Sequence, residues 1–76
     1  SMVHLTLEHF LQLASPRAMI QIKTDRTGDL QMERPLGRDT LLQSLRREIL
    51  SREVDELTIS TDCGLIWMTV WLRGDG

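Results

Sequence analysis

The chain opens with a short amphipathic segment of helical period. Its apolar residues recur at the i, i+3, i+4 and i+7 spacing that lines one face of a helix: Leu7, Phe10, Leu11 and Ala14. Thr6 is a favourable N-cap, because its hydroxyl can accept a hydrogen bond from a free backbone N–H of the first turn. Pro16 disfavours helical backbone at Ser15. The pattern predicts a short helix within residues 5–14.

The next segment changes to a period of two. Alternate apolar side chains share one face of residues 18–24, which is typical of a half-buried strand: Ala18, Ile20 and Ile22. Gly28 can adopt the positive φ that a short hairpin loop requires. Residues 30–34 predict a second strand, which ends at Pro35 because proline has no N–H for a strand ladder. The pattern therefore predicts a β-hairpin.

A longer helical pattern follows Gly37. Asp39 or Thr40 can cap its N-terminus, and the helix is expected to end near Arg52 or Glu53. One side of this helix is apolar, while the rest is largely polar and basic: the apolar residues are Leu41, Leu42, Leu45 and Ile49. The pattern is typical of a surface helix that lies on a sheet.

Two further strands complete the chain. Residues 56–61 and Leu65–Leu72 flank a turn at residues 62–64 and predict a second hairpin. The element order is therefore αββαββ. We expect an α+β fold, with a four-stranded antiparallel sheet and both helices packed on one face. The pattern leaves the strand order between the two hairpins open. The predicted core comprises Leu7, Phe10, Leu11, Leu42, Leu45 and Ile49 against Ile20, Ile22, Leu57, Ile59, Ile66 and Val70.

The last strand is apolar on both faces. Ile66, Met68, Val70 and Leu72 alternate with a second set, which is Leu65, Trp67, Thr69 and Trp71. If the helices cover the aliphatic set, the tryptophans point away from the core. Tryptophan is strongly enriched among interface hot spots, so this second set predicts an interface with another chain. Alternatively, the strand is central and long side chains of the same sheet, such as Met19 and Lys23, cover the tryptophans.

Length and charge narrow the class of protein. The 76 residues correspond to one domain, for which we expect the bounds 2–73, with Ser1 as a tag remnant and residues 74–76 as a flexible tail. Apolar and charged residues make up 41% and 26% of the chain, as in ordinary globular domains. The net charge of −2 lacks the basic excess of most nucleic-acid-binding domains. A domain this small has a modest core, so dimerisation would be a natural source of further buried surface.

Four arginines concentrate positive charge on the second predicted helix and its entry: Arg38, Arg46, Arg47 and Arg52. Guanidinium groups bind phosphate and carboxylate through two hydrogen bonds at once, so these residues are a candidate contact for a polyanion. Neighbouring acidic residues dilute the positive charge. An ordinary solvated helix face is the alternative, and it is the one that the composition favours.

No motif for catalysis or cofactor binding stands out. His4 and His9 lack the cysteines or carboxylates at ligand spacing that would predict a metal site. Cys63 is the only cysteine, whereas small secreted domains usually carry several disulfides, so we expect a cytoplasmic protein. No apolar run is long enough to span a bilayer. The sequence therefore predicts neither an enzyme nor a membrane protein, and no cofactor.

Three segments resemble a group of small bacterial proteins. The segments are residues 5–7 with the helix that follows, residues 20–22 with a glycine-containing turn, and residues 50–59 before the last strand. Together they are similar to uncharacterised proteins encoded by phages and mobile elements of Gram-positive gut bacteria, in which a Leu-x-x-Glu-Val-x-x-Ile-like segment leads into the closing hairpin. The arginine-rich second helix and the two tryptophans depart from that pattern. The resemblance implies an accessory phage protein and carries over no functional residues.

These observations predict a function of binding rather than catalysis. The leading hypothesis is a phage-type accessory protein in the bacterial host cell that binds a host protein, as an inhibitor of a defence system such as an anti-CRISPR would, and that acts as a homodimer through the last strand. The alternative is a small nucleic-acid-binding module that uses Arg46, Arg47 and Arg52. The salt dependence of binding distinguishes the two hypotheses, because phosphate-driven binding weakens steeply as ionic strength rises.

Overall fold

Three helices and three strands make up the described part of the chain, residues 4–24 and 32–74, in a computed structural model. In chain order they are α1 (Leu7–Leu13), β1 (Met19–Thr24), α2 (Arg38–Ser44), α3 (Arg47–Leu50), β2 (Val54–Asp62) and β3 (Leu65–Leu72). The first helix is confirmed together with its cap. The Thr6 hydroxyl accepts a hydrogen bond of 3.2 Å from the backbone N–H of His9, which satisfies one of the free donors of the first turn.

The sheet has three strands in the order β1-β3-β2. β3 pairs with β2 in antiparallel orientation and with β1 in parallel orientation, in a register that places Ile22 beside Val70. The predicted four-stranded antiparallel sheet with two helices is therefore wrong. Among the described residues the fold has three helices on a three-stranded mixed sheet, and the coarser prediction of an α+β protein is correct.

The predicted first hairpin is the part of the fold that changes most. Residues 32–34 belong to no strand, and the predicted turn and residues 30–31 lie outside the described part of the chain. A single antiparallel bridge remains, in which Ile20 and Leu36 exchange two backbone hydrogen bonds of 2.8 and 3.0 Å. Beside it, the backbone N–H of Ile22 donates to the thioether sulfur of Met32 at 3.2 Å. A sulfur atom thus accepts this N–H in place of a carbonyl, and the ladder does not extend beyond the Ile20–Leu36 bridge within the described residues.

The predicted long helix is divided into α2 and α3. Leu45 and Arg46 have extended backbone conformations and separate the two helices. Leu41 and Leu50 are both buried, yet they lie nine positions apart, which is about two and a half helical turns. An unbroken helix would therefore point them in opposite directions. The break allows both side chains to reach the same core.

The core lies between the helices and the β1–β3 half of the sheet. Its largest fully buried members come from α1, from the two neighbouring strands and from α2: Leu7, Leu11, Ile20, Ile22, Leu41, Val70 and Leu72. Phe10 and Leu50 are also buried, whereas Leu42, Leu45, Ile49 and Ile66 are only partly buried against this cluster. Leu57 and Ile59 are 38% and 57% exposed, so their predicted place in the core is wrong. The helices do not reach far enough across the sheet to cover β2.

The second hairpin is the best-predicted part of the sheet. Asp62 pairs with Leu65, which leaves a two-residue loop of Cys63 and Gly64. Both loop residues have positive φ, 52° and 77° respectively, as the type I′ turn of a tight hairpin requires. This hairpin sets the register of β3 against β2 and hence decides which side chains of β3 face the helices.

Candidate functional site

One face of the sheet carries no helix in the described part of the chain. It is the face of β3 opposite the buried Val70 and Leu72, and strand pairing defines the rest of it. We call it the open face, and its residues are Met19, Gln21, Lys23, Glu56, Thr58, Ser60, Asp62, Leu65, Trp67, Thr69 and Trp71. All four residues that the sequence predicts as an interface lie here. Alternation along β3 brings them to one side.

The two tryptophans form the apolar part of the open face. Trp67 lies between Met19 of β1 and Ser60 of β2, and Trp71 lies between Lys23 and Glu56. Both indoles are partly buried and keep a smaller part of their surface open to solvent. β3 is thus the central strand, and Met19 and Lys23 flank its tryptophans, as the alternative prediction from the sequence requires. The interface itself stays a prediction.

Lys23 and Trp71 make a specific contact. The ammonium nitrogen lies 5.2 Å from the centroid of the indole ring, within the range of a cation–π interaction. The contact holds the lysine side chain over the ring and places one positive charge beside an aromatic surface. Glu56 lies on the other side of the same indole. One end of the open face therefore combines an aromatic ring with charges of both signs.

Trp67 has an unused hydrogen-bond donor. Its indole Nε1 is shielded from solvent and donates to no acceptor among the described residues. A buried indole N–H usually finds a partner, and leaving it without one costs free energy of about 1 to 3 kcal/mol. The indole thus has an unmet polar preference at the centre of the open face.

Three of the four arginines are engaged within the protein. Arg38 caps the C-terminus of α1, because its Nη1 donates to the carbonyl oxygens of Ala14 at 2.7 Å and Gln12 at 3.1 Å. The Arg52 guanidinium donates to the carbonyl oxygen of Arg73 at 2.8 Å. Arg46 is exposed and makes no ion pair within the described ranges. The arginine side chains therefore bind different parts of the backbone and do not form one basic cluster.

Arg47 forms a two-pronged ion pair with Glu8. The guanidinium nitrogens of Arg47 lie 2.7 and 3.1 Å from the two carboxylate oxygens, which joins α3 to α1. These hydrogen bonds lower the pKa of Glu8 below its ordinary value, and they raise the pKa of Arg47. Because the pair is exposed, it serves mainly to orient the short α3 against α1.

The other polar residues of the described ranges form no recognisable reaction centre. His4 Nδ1 lies 3.0 Å from Glu53, which also pairs with Arg73 at 3.1 Å. Cys63 is an exposed thiol at the tip of the hairpin. Across residues 4–24 and 32–74, no three histidine, cysteine or acidic side chains lie close enough together to hold a metal ion. Within the same residues, none of the helices has the length and apolar character needed to cross a bilayer.

Sequence reasoning missed a second exposed surface. Leu57 and Ile59 of β2 lie on the helix side of the sheet, yet they are exposed because no helix extends over them. The signal that could have found them is the acidic flank of this strand, since Asp55, Glu56 and Asp62 are typical of an edge strand rather than a covered one.

No known protein family, curated protein or solved structure matches this chain.

Proposed function

We propose that this protein acts by binding another protein through the open face of its sheet. The observation that carries the proposal is the position of Trp67 and Trp71, two large side chains on the central strand that no helix covers in the described structure. Tryptophan in a partly desolvated setting, surrounded by polar side chains, is the usual composition of a binding hot spot.

The charge of the open face favours a protein partner over a nucleic acid. Among the described residues of this face, Lys23 is the one basic residue, and it already lies over Trp71. Glu56 and Asp62 would repel phosphate groups, which supply most of the affinity in nucleic-acid binding. The arginines of the alternative hypothesis lie on the helix layer, where Arg38 and Arg47 are tied to α1. A protein surface with a shallow apolar pocket fits the open face better.

The biological role that we propose is occupation of a partner surface. A rigid sheet face with aromatic anchors can cover the working surface of another protein without any chemical step. Combined with the resemblance to accessory proteins of phages, this makes an inhibitor of a host defence protein, of the anti-CRISPR kind, our proposed role. Binding and inhibition are separable claims, so each has its own test.

Site-specific photocrosslinking tests the binding claim. A photoreactive amino acid at Thr69, between the two tryptophans, should give a covalent adduct in bacterial host cells, and a probe at Gln43, exposed on α2, should not. The adduct should disappear in Trp67→Ser/Trp71→Ser and persist in Leu13→Ser. Leu13 is an apolar residue that is 82% exposed on α1, so this substitution is a matched control.

The nature of the adduct decides between partner classes. Digestion by protease but not by nuclease supports a protein partner. An adduct that nuclease removes, or one that forms equally from Gln43, would contradict the proposal. For inhibition, phage plating on hosts with a CRISPR-type defence should rise when the protein is expressed and return to baseline with the double tryptophan variant. If the double tryptophan variant loses the adduct but phage plating is the same with the parent protein and the variant, the protein binds a partner through this face without inhibiting the defence.

A further inference from the structure

Strand β2 is exposed along almost its whole length. Every residue from Asp55 to Asp62 is exposed, and β3 is its main neighbour. Among the described residues, its outer edge is occupied at the start, where Glu53 forms a bridge with Thr6 and the Val54 N–H donates to the Leu5 carbonyl at 2.8 Å. Beyond that point, no other described segment pairs with the outer edge of the strand. An edge of this length without a partner among the described residues is a template for another strand.

We propose that a second copy of this chain pairs with the outer edge of β2, in antiparallel orientation, about a two-fold axis that passes through Thr58. This surface is distinct from the tryptophans of the open face, and the proposal does not depend on the proposed function. Its apolar part is Leu57 and Ile59, exposed at 38% and 57% on the helix side of the sheet. A small domain gains buried surface by such pairing that its own core does not provide.

Side-chain pairing selects the register. In a symmetric antiparallel pair, residues on the same face lie opposite each other, so the axis passes through one residue of the strand. With the axis at Thr58, Leu57 lies opposite Ile59 of the second copy, and the four apolar side chains of the two copies meet on one face. The same register places Glu56 opposite Ser60, so that no two carboxylates lie directly opposite each other.

The neighbouring registers are less favourable. An axis at Ile59 would place Glu56 opposite Asp62 of the second copy, which is a like-charge pair. An axis at Leu57 would place Ile59 opposite Asp55 and leave the isoleucine without an apolar partner. Charge repulsion and apolar pairing therefore both favour the register in which the two-fold axis passes through Thr58.

The pairing joins two sheets into one. The strand order becomes β1-β3-β2-β2-β3-β1, and the two open faces point in the same direction because the axis is perpendicular to the sheet. The two β3 strands then lie about 14 Å apart, three strand spacings of about 4.8 Å. A single strand pair engages less surface than the roughly 800 Å² per partner of a standard interface, so we expect a reversible, concentration-dependent dimer.

Disulfide trapping tests the register directly. In a Cys63→Ser background, Thr58→Cys should form a covalent dimer under mild oxidation, because paired residues have Cα atoms about 4.5 to 5.5 Å apart. Ser60→Cys is the matched control, on the same face and also exposed. Its two copies would lie about 13 Å apart along the strands, too far for a disulfide. A mixture of Glu56→Cys and Ser60→Cys should give a crosslinked heterodimer.

The same experiment can overturn the proposal. Equal crosslinking of Thr58→Cys and Ser60→Cys would reflect random collision, and no crosslinking of either would mean that the edges do not meet. Sedimentation equilibrium supplies a second measurement that needs no cysteine. The unmodified protein should approach dimer mass as concentration rises, and Leu57→Lys should keep monomer mass over that range. A monomer at the highest soluble concentration would contradict the proposal.

The tryptophan variant separates this proposal from the proposed function. Trp67→Ser/Trp71→Ser should retain the dimer, because neither indole lies at the edge of β2. A variant that loses the dimer together with the partner would show that a single surface serves both. Salt gives a further check. The acidic residues of the two strands repel each other across the pair, so dimerisation should strengthen as ionic strength rises.

Discussion

Strands β1 and β2 flank the same central strand, yet they occupy opposite environments. In β1, Ile20 and Ile22 are fully buried and alternate with more exposed neighbours, whereas every residue of β2 after Val54 is exposed. The helices explain the difference, because they lie over β1 and one half of β3. Half of the sheet therefore carries most of the packing energy, while the other half offers uncovered surface. The buried side chains of the sheet are thus concentrated on β1 and β3, and the most exposed ones on β2.

The largest expected effect comes from the same substitution made in both strands. Ile22→Ala should lower the free energy of unfolding by about 2 to 5 kcal/mol, because it opens a cavity in the core. Ile59→Ala should cost no more than about 1 kcal/mol, since this side chain is already 57% exposed. Urea denaturation at low protein concentration measures both values. Equal losses in the free energy of unfolding would mean that β2 is covered in solution, and that β1 and β2 do not differ in burial.

The next effect concerns the helix layer that covers β1. Arg38→Ala should lower the free energy of unfolding by about 1 to 2 kcal/mol, because it removes two charged hydrogen bonds to the last carbonyls of α1. Arg46→Ala is the matched control, an exposed arginine without an ion pair in the described structure, and it should change little. Thermal unfolding of both variants provides the measurement. Similar losses would show that net charge, rather than capping, matters.

A smaller effect is expected at the turn of the exposed hairpin. Gly64→Ala should lower the free energy of unfolding by about 1 kcal/mol, because a side chain at a φ of 77° is strained. The added Cβ would meet no neighbouring atom, so backbone strain is the only cause. Cys63→Asn at the preceding position should be neutral or slightly stabilising, since asparagine tolerates positive φ. A cost for the asparagine variant would point to a role for the thiol.

The smallest effect is a dependence on pH. Hydrogen bonds from Arg47 lower the pKa of Glu8 in the folded protein, so the pair stabilises the fold above the ordinary pKa of a glutamate. This contribution is lost as the pH falls through the lowered value. The difference in unfolding midpoint between the parent and Glu8→Gln should therefore shrink on acidification below about pH 4.3. Glu48→Gln, on the exposed side of α3, serves as the control.

Local signals predicted the elements that depend on near neighbours. The cap at Thr6, the apolar period of α1 and the glycine turn of the second hairpin each depend on residues that are close together in the sequence. Alternation along β3 also placed Trp67 and Trp71 on the face away from the helices. These features follow from local backbone geometry and do not depend on the tertiary contacts of the rest of the chain.

Features that depend on distant partners were not predictable in the same way. The parallel pairing of β1 with β3 has no local signature, and hairpin logic instead predicted a partner for β1 directly after its turn. The break before α3 depends on Leu50 meeting a core that residues far along the chain complete. Leu57 and Ile59 show the apolar alternation of a covered strand, so only the reach of the helices reveals their exposure.

The parallel pairing of β1 with β3 has a consequence for how the chain folds. Met19 pairs with Trp67, so most of the chain separates the two strands that form the core of the sheet. Ladders that close such long loops form slowly, because the entropy of closure is lost before their contacts are gained. Until residues 65–72 are in place, β1 and β2 have no common neighbour, and the apolar faces of α1 and β1 stay exposed to water. The second hairpin can form early from local contacts, and capture of β1 by its inner strand would then be the rate-limiting step.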